Sequence, residues 1–231
     1  MLTPRLAGIR ACVFDAYGTL FDFTAAAARC RDVLGGKDAE LSARWRVRQL
    51  QYTWLRSLMG RHEDFWTVTG EALTVTLAEL GLADGALHAR LMECYRRLDA
   101  YPEVTGVLKV LKEAGLKRAI LSNGAPAMLA DAVANAGLAP VLDHVLSVED
   151  AGVFKPHPSV YALAEARMGA RPAEICFLSS NGWDAHGAAV FGFRAVWVNR
   201  AGQTREMLPG TLAAEIRDLT ELPALLDIAG A

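Results

Sequence analysis

The sequence predicts an α/β protein, and three observations predict it. A short apolar run, Ala11 to Phe14, stops abruptly at Asp15 and a polar turn. That is how a buried parallel strand ends at a ligand crevice. From Phe23 to about Asp99 the pattern is helical throughout, with no strand-like run. From Glu103 onward, helical stretches alternate with short apolar runs, the pattern of a parallel sheet with helices on both faces. Together these describe a Rossmann-like parallel sheet core, formed by residues 1–22 and 99–231, with a helical cap, residues 23–98, inserted after the first strand.

Within the helical stretch an Ala-rich helix stops at Gly35-Gly36. A second helix runs from about Ala39 to Met59, with Leu41, Trp45, Leu55 and Leu58 among its apolar positions. A third runs from about Asp64 to Leu80 and ends at Gly81. A fourth, about Ala86 to Leu98, ends before Tyr101-Pro102, because a residue preceding proline is pushed out of the helical region. The core then proceeds as helix Val104–Ala114, strand Arg118–Leu121, helix Met128–Ala136 and strand Val145–Val148. Helix Ser159–Met168, strand Ile175–Leu178, helix Ala185–Phe191 and strand Ala195–Val198 follow.

The 231 residues suffice for one large domain or a core with an inserted one. A formal net charge of -2 offers no basic surface for nucleic acid or anionic membrane. No apolar run approaches the roughly 20 residues of a membrane span. The opening MLTPRLAGIR lacks the continuous apolar stretch of a signal peptide. The cysteines, Cys12, Cys30, Cys94 and Cys176, show neither CxxC spacing nor a metal pattern. They are expected to be reduced thiols in a cytoplasmic protein.

Chemistry gathers where the strands end. The first tip is CVFDAYGTLFD, which presents Asp15; a lone Asp there would more often cap the next helix. The second is LSNGAP, with Ser122 and Asn123, which by itself reads as an ordinary turn. In the third, VFKPHP, Lys155 lies between Phe154 and Pro156; a surface lysine laid over apolar neighbours would look the same. The fourth, FLSSNGWDA, contains Ser179, Ser180, Asn181, Trp183 and Asp184. Asp184 could simply cap a helix starting at Ala185. In the cap, WRVRQLQYTWLRSLMG sets Arg46 on one helix face with Leu50, although a run of arginines is usually a solvated face.

The motifs DAYGTL, SNGAP, FKPHP and SSNGWD, in this order, resemble the haloacid dehalogenase superfamily. More narrowly, they resemble its L-2-haloacid dehalogenases, over about Arg10 to Pro223. The resemblance implies hydrolysis of L-2-haloalkanoic acids to D-2-hydroxyalkanoic acids, with inversion, through an ester on Asp15. It also implies that Thr19, Lys155 and Ser179 position Asp15, with Tyr161 supporting the lysine, although a helix-face tyrosine is more often packing. Ser122 would hold the substrate carboxylate. Arg46, Asn123 and Trp183 would receive the halide, and Asp184 with Asn181 would set the hydrolytic water. Tyr17, Leu50, Phe65 and Trp183 would line the pocket. Val47, where relatives commonly have Gln, would face it too and alter substrate size preference.

The superfamily's phosphatases have a second Asp where this chain has Tyr17, and an acid where it has Ser180. A phenol with a pKa of about 10 cannot make the same proton transfer near neutral pH. Mg²⁺ needs hard oxygen ligands, usually carboxylates. The expectation is therefore metal-independent chemistry with no cofactor. The remaining alternatives are C–N ring opening by the same attack, a phosphatase of the same fold, or a non-catalytic anion binder. The implied partners are a small 2-haloacid and a second copy of the chain, a homodimer.

Overall fold

The computed structural model describes residues 5–228; residues 1–4 and 229–231, including the start of the MLTPRLAGIR segment and both ends of the expected core, lie outside them. Strand β1 (Ala11–Phe14) is fully buried. Among the described residues a run of helices follows: α1 (Ala25–Ala28), α2 (Arg31–Leu34), α3 (Asp38–Met59), α4 (Phe65–Glu79) and α5 (Gly85–Arg96). Then come α6 (Val104–Glu113), β2 (Lys117–Ser122), α7 (Pro126–Asn135), β3 (His144–Ser147) and α8 (Pro158–Met168). The chain continues through β4 (Ile175–Ser179), α9 (Gly182–Phe191), β5 (Arg194–Val198), β6 (Ala214–Ile216) and α10 (Leu222–Leu225).

The six strands form one parallel sheet in the order β3-β2-β1-β4-β5-β6. Central β1 pairs with β2 and β4, so that Phe14 lies opposite both Ile120 and Leu178. Val13, Phe14, Ile120, Phe177 and Leu178 are completely buried, as strands covered by helices on both faces require. The chain leaves β1 toward β2 on one side and reaches β4 on the other. A sheet that reverses direction in this way opens a crevice at the carboxyl ends of its strands. Capping fixes the starts of two helices between β1 and β2: Asp64 accepts from the Thr67 N–H at the start of α4, and Asp84 from the Leu87 N–H at the start of α5.

Four local expectations are corrected. The first helix is two short ones. The chain breaks at Cys30, whose φ of -110° and ψ of 14° leave the helical region. The break brings Cys30 Sγ to 3.9 Å from Cys94 Sγ on α5 and lets Arg29 bond Asp99 at 2.5 Å. Strand β6 was not expected, because three residues at a sheet edge are too short to show alternation. Leu55 and Leu58 are not interior: they are 51% and 85% exposed. Helix α9 begins at Gly182, with Asn181 at its N-cap. Asp184 therefore lies inside the first turn, and its side chain is free for other work.

Candidate active site

Asp15 is the first residue past β1. Its N–H bonds the Leu178 carbonyl at 2.9 Å, so the ladder with β4 holds it at the sheet edge. The chain then turns sharply, with the Gly18 N–H donating to the Phe21 carbonyl at 2.7 Å. Gly18 has φ +88°, and a Cβ there would lie 2.9 Å from Ser180 Oγ. Only glycine meets both conditions.

The Asp15 residue is 5% exposed. Its Oδ1 accepts from Lys155 Nζ at 3.2 Å, and its Oδ2 from Asn181 Nδ2 at 2.8 Å. The hydroxyls of Thr19 and Ser179 stand at 3.4 and 3.5 Å from Oδ2. Lys155 is 1% exposed, and its ammonium also reaches Asp184 Oδ2 at 2.9 Å. Asp184 is fully buried and accepts from the Tyr161 hydroxyl at 2.9 Å. Burial pushes the Asp184 carboxyl above its ordinary value; the Lys155 charge opposes this, and Asp15 adds to it. Burial, then Asp184, hold the Tyr161 hydroxyl well above its usual range, so it remains a donor. Two buried carboxylates on one lysine are weak evidence for stability. They are suited to presenting an ionised carboxylate in a site with little water.

Arg46 reaches this cluster from α3. Its Nη2 donates to Asn181 Oδ1 at 3.1 Å and its Nη1 to Gln49 Oε1 at 2.8 Å. Its guanidinium lies 5.0 Å from the centre of the Phe23 ring. Asn181 therefore turns its oxygen to Arg46 and its nitrogen to Asp15. Tyr17 is stacked on Tyr95 with ring centres 5.5 Å apart and lies 5.8 Å from Phe65. Its hydroxyl is buried with no partner among the described residues. Ser122 Oγ accepts from the Gly124 N–H at 3.0 Å, which leaves its proton to donate. Asn123 Oδ1 accepts from the Lys155 N–H at 3.1 Å, tying the second tip to the third. Trp183 meets Trp54 edge-on at 5.4 Å.

Leu50, one turn from Arg46 on α3, is half-buried. Val47 departs from expectation: it is 57% exposed and lies, with Phe23, Ala43 and Arg46, on the rim of an open 540 Å³ cavity. One residue past Arg46, it is rotated about 100° around the helix, away from the face that Arg46 turns to the cluster.

A family model for haloacid dehalogenase-like hydrolases matches residues 9–192. The chain belongs to that family. It is 50% identical to an (S)-2-haloacid dehalogenase of Xanthobacter autotrophicus, over 89% of this chain and 82% of the relative. It is 46% identical to (S)-2-haloacid dehalogenase 1 of Pseudomonas sp. strain CBS-3, over 94% and 96%. A solved structure of the L-2-haloacid dehalogenase from Xanthobacter autotrophicus, with chloropropionic acid covalently bound, superposes with a TM-score of 0.89 at 42% identity. It covers 96% of this chain and all of that one.

In this haloacid dehalogenase-like hydrolase the donor set does not suit Mg²⁺. Asp15 and Asp184 share the ammonium of Lys155, and Ser180 offers a hydroxyl that accepts from Thr19 at 3.2 Å. Tyr17 packs its ring among aromatics.

Several contributors had no local sequence signal. Arg200, past β5, donates to the Thr19 carbonyl at 2.8 Å and to Glu103 at 2.6 Å, bracing the first turn. Gln49 and Tyr95 sit behind Arg46. Gly187 lets Tyr161 approach α9: a Cβ there would lie 2.6 Å from its hydroxyl. The NR dipeptide after an apolar strand, a fifth polar tip, was the one available hint for Arg200.

Proposed function

We propose that this protein hydrolyses L-2-haloalkanoic acids to D-2-hydroxyalkanoic acids through an ester on Asp15. The observation on which this rests most is Lys155, whose buried ammonium contacts both Asp15 and Asp184. An ammonium this close favours an ionised carboxylate, the form a nucleophile needs. The similarity to (S)-2-haloacid dehalogenases favours dehalogenation over ring opening or phosphate ester hydrolysis.

In the first step an Asp15 oxygen attacks the halogen-bearing carbon from the side opposite the halogen. The C–O bond forms as the C–halogen bond breaks; the halide takes the bonding pair and configuration inverts. Arg46, Asn123 and Trp183 receive the halide, while Ser122 donates to the substrate carboxylate. Tyr17, Leu50 and Phe65 form the apolar wall. In the second step water gives a proton to Asp184 and adds to the Asp15 carbonyl carbon, held by Asn181. Collapse expels the hydroxy acid oxygen, which takes up a proton, and frees the Asp15 carboxylate. Thr19, Lys155 and Ser179 stabilise the charge on Asp15, and Tyr161 holds Asp184. The sum is haloacid plus water giving hydroxy acid, halide and a proton.

Residues 23–98 act in this proposal as a cap over the core of residues 1–22 and 99–231. A capped site with little water strengthens the attraction of Arg46 for a departing halide. Within the same proposal the protein is cytoplasmic and a homodimer. No helix among the described residues is long and apolar enough to cross a membrane. The exposed Leu55, Leu58 and Met59 on the last turns of α3 supply apolar surface for the second copy. A monomer by light scattering at micromolar concentration would refute the dimer.

The deciding experiment is halide release from each enantiomer of 2-chloropropionate with EDTA present throughout. Release from the L enantiomer alone is expected. No release from either by folded protein would overturn the assignment.

A further inference from the structure

Behind Arg46 lies a buried amide whose orientation is fully determined by its partners. Gln49 is 1% exposed and follows Arg46 by three residues on α3, so the two share a helix face. The Thr69 hydroxyl donates its proton to the Phe65 carbonyl at 2.6 Å. Having one proton, Thr69 Oγ1 can then only accept. It accepts from Gln49 Nε2 at 2.7 Å, and the Tyr95 oxygen lies 3.3 Å from the same nitrogen. With its NH₂ committed there, Gln49 must turn Oε1 toward Arg46, whose Nη1 it meets at 2.8 Å.

A polar group on one helix could satisfy itself in many ways. Here donors and acceptors leave a single arrangement, running from Thr69 through Gln49, Arg46 and Asn181 to Asp15. A guanidinium has five N–H donors. Gln49 and Asn181 each hold one, and Phe23 lies against the group. The other N–H groups then have fixed directions in which to meet a departing anion. An unrestrained arginine would lose that advantage, because it would have to reorganise as charge develops.

We propose that Gln49, anchored by Thr69, is a positioning residue that sets the halide-receiving geometry of Arg46. This rests on the dehalogenase reading above and deepens it, since it names what discriminates between leaving groups. Chloride is the poorer leaving group and needs more stabilisation as it departs than bromide does. Loosening Arg46 therefore slows C–Cl cleavage more than C–Br cleavage.

The test compares Gln49→Met, which keeps the volume but removes the side-chain hydrogen bonds to Arg46, Thr69 and Tyr95, with Thr69→Val and Thr69→Ser. Single-turnover halide release from L-2-chloropropionate and L-2-bromopropionate is measured for the full-length protein, with thermal unfolding recorded alongside. Gln49→Met is expected to slow chloride release at least tenfold and to widen the bromide-to-chloride rate ratio at least threefold. Thr69→Val should widen the same ratio by a smaller factor, and Thr69→Ser, which restores the hydroxyl, should return it to the wild-type value. A lost packing contact would lower both rates together and leave the ratio alone. An unchanged ratio in folded Gln49→Met would overturn the proposal, as would failure of Thr69→Ser to rescue.

A second measurement is independent of turnover. Chloride-35 line broadening of the resting protein should be reduced by Gln49→Met as it is by Arg46→Lys. Equal broadening by wild type and Gln49→Met would refute the role of Gln49. Wild-type protein that broadens the chloride signal yet releases no halide would refute the dehalogenase reading while leaving Gln49 in its place.

Discussion

The Nζ of Lys155 lies 3.2 Å from Oδ1 of Asp15, with 1% and 8% of the two side chains exposed. Replacing Lys155 with Met keeps the length and removes the charge. Two buried carboxylates then lose the one ammonium that contacts both of them. Deleting one partner of a buried ion pair costs about 3–5 kcal/mol, and here one carboxyl will take up a proton instead. We expect Lys155→Met to lose at least a thousandfold in kcat, with a lowered thermal midpoint. Wild-type turnover would show that the ammonium is not needed by the nucleophile.

An ester on Asp15 places solvent oxygen in the protein before the product. One turnover with enzyme in excess, in ¹⁸O-water, should label the Asp15 carboxylate and leave the first hydroxy acid unlabelled. Mass spectrometry of the peptide containing Asp15 reads this directly. Label in the first-turnover product would indicate direct attack by water.

The acid limb of the pH profile should report Asp184. Burial raises its carboxyl, and only the ionised form can take a proton from water. The rate of ester hydrolysis therefore rises with pH as Asp184 deprotonates, and the limb lies above the ordinary aspartate value of about 3.9. The Tyr161 hydroxyl bonds Asp184 and favours its ionised form. Tyr161→Phe should shift the limb to higher pH, whereas a coincident limb would remove Tyr161 from the acid–base machinery.

Gly187 tests the support beneath Tyr161. A methyl group there would meet the Tyr161 hydroxyl at 2.6 Å and Pro156 Cβ at 2.7 Å. Overpacking of this kind costs about 1–3 kcal/mol, against about 1 kcal/mol gained from helix propensity. Gly187→Ala should lose at least tenfold in kcat as Tyr161 is driven from Asp184. Gly106→Ala on α6 has open space around it and should raise stability without changing kcat. Equal activity of the two variants would show that Tyr161 tolerates displacement.

Much of the core was legible because its signals are local. Each apolar run that ends in a polar turn marks a strand and its tip, and five of the six strands were found in this way. The exposure of Val47 and Leu58 has no local signal, because the direction each side chain takes depends on what α3 packs against. The break at Cys30 was invisible because an Ala-rich stretch favours helix on propensity, while the contacts of Arg29 with Asp99 and of Cys30 with Cys94 on α5 override it. Asp184 looked like a cap because a helix start is uncertain by a few residues in sequence. Its actual position, inside the first turn of α9, turns it toward Lys155.

The sequence by itself determined which chemical groups stand at the strand ends, Asp15 and Ser122, or in the segments that follow them, Lys155 and Asp184. Periodicity and the switch from apolar to polar are written in neighbouring residues. Tertiary structure alone decided who touches whom. Lys155 meets Asp15 across 140 positions and Asp184 across 29, and Gln49 finds Thr69 and Tyr95 on two other helices. Such contacts follow from the sheet order β3-β2-β1-β4-β5-β6 and from how α3, α4 and α5 pack together, which depend on the pairing of distant segments and leave no trace in local pattern.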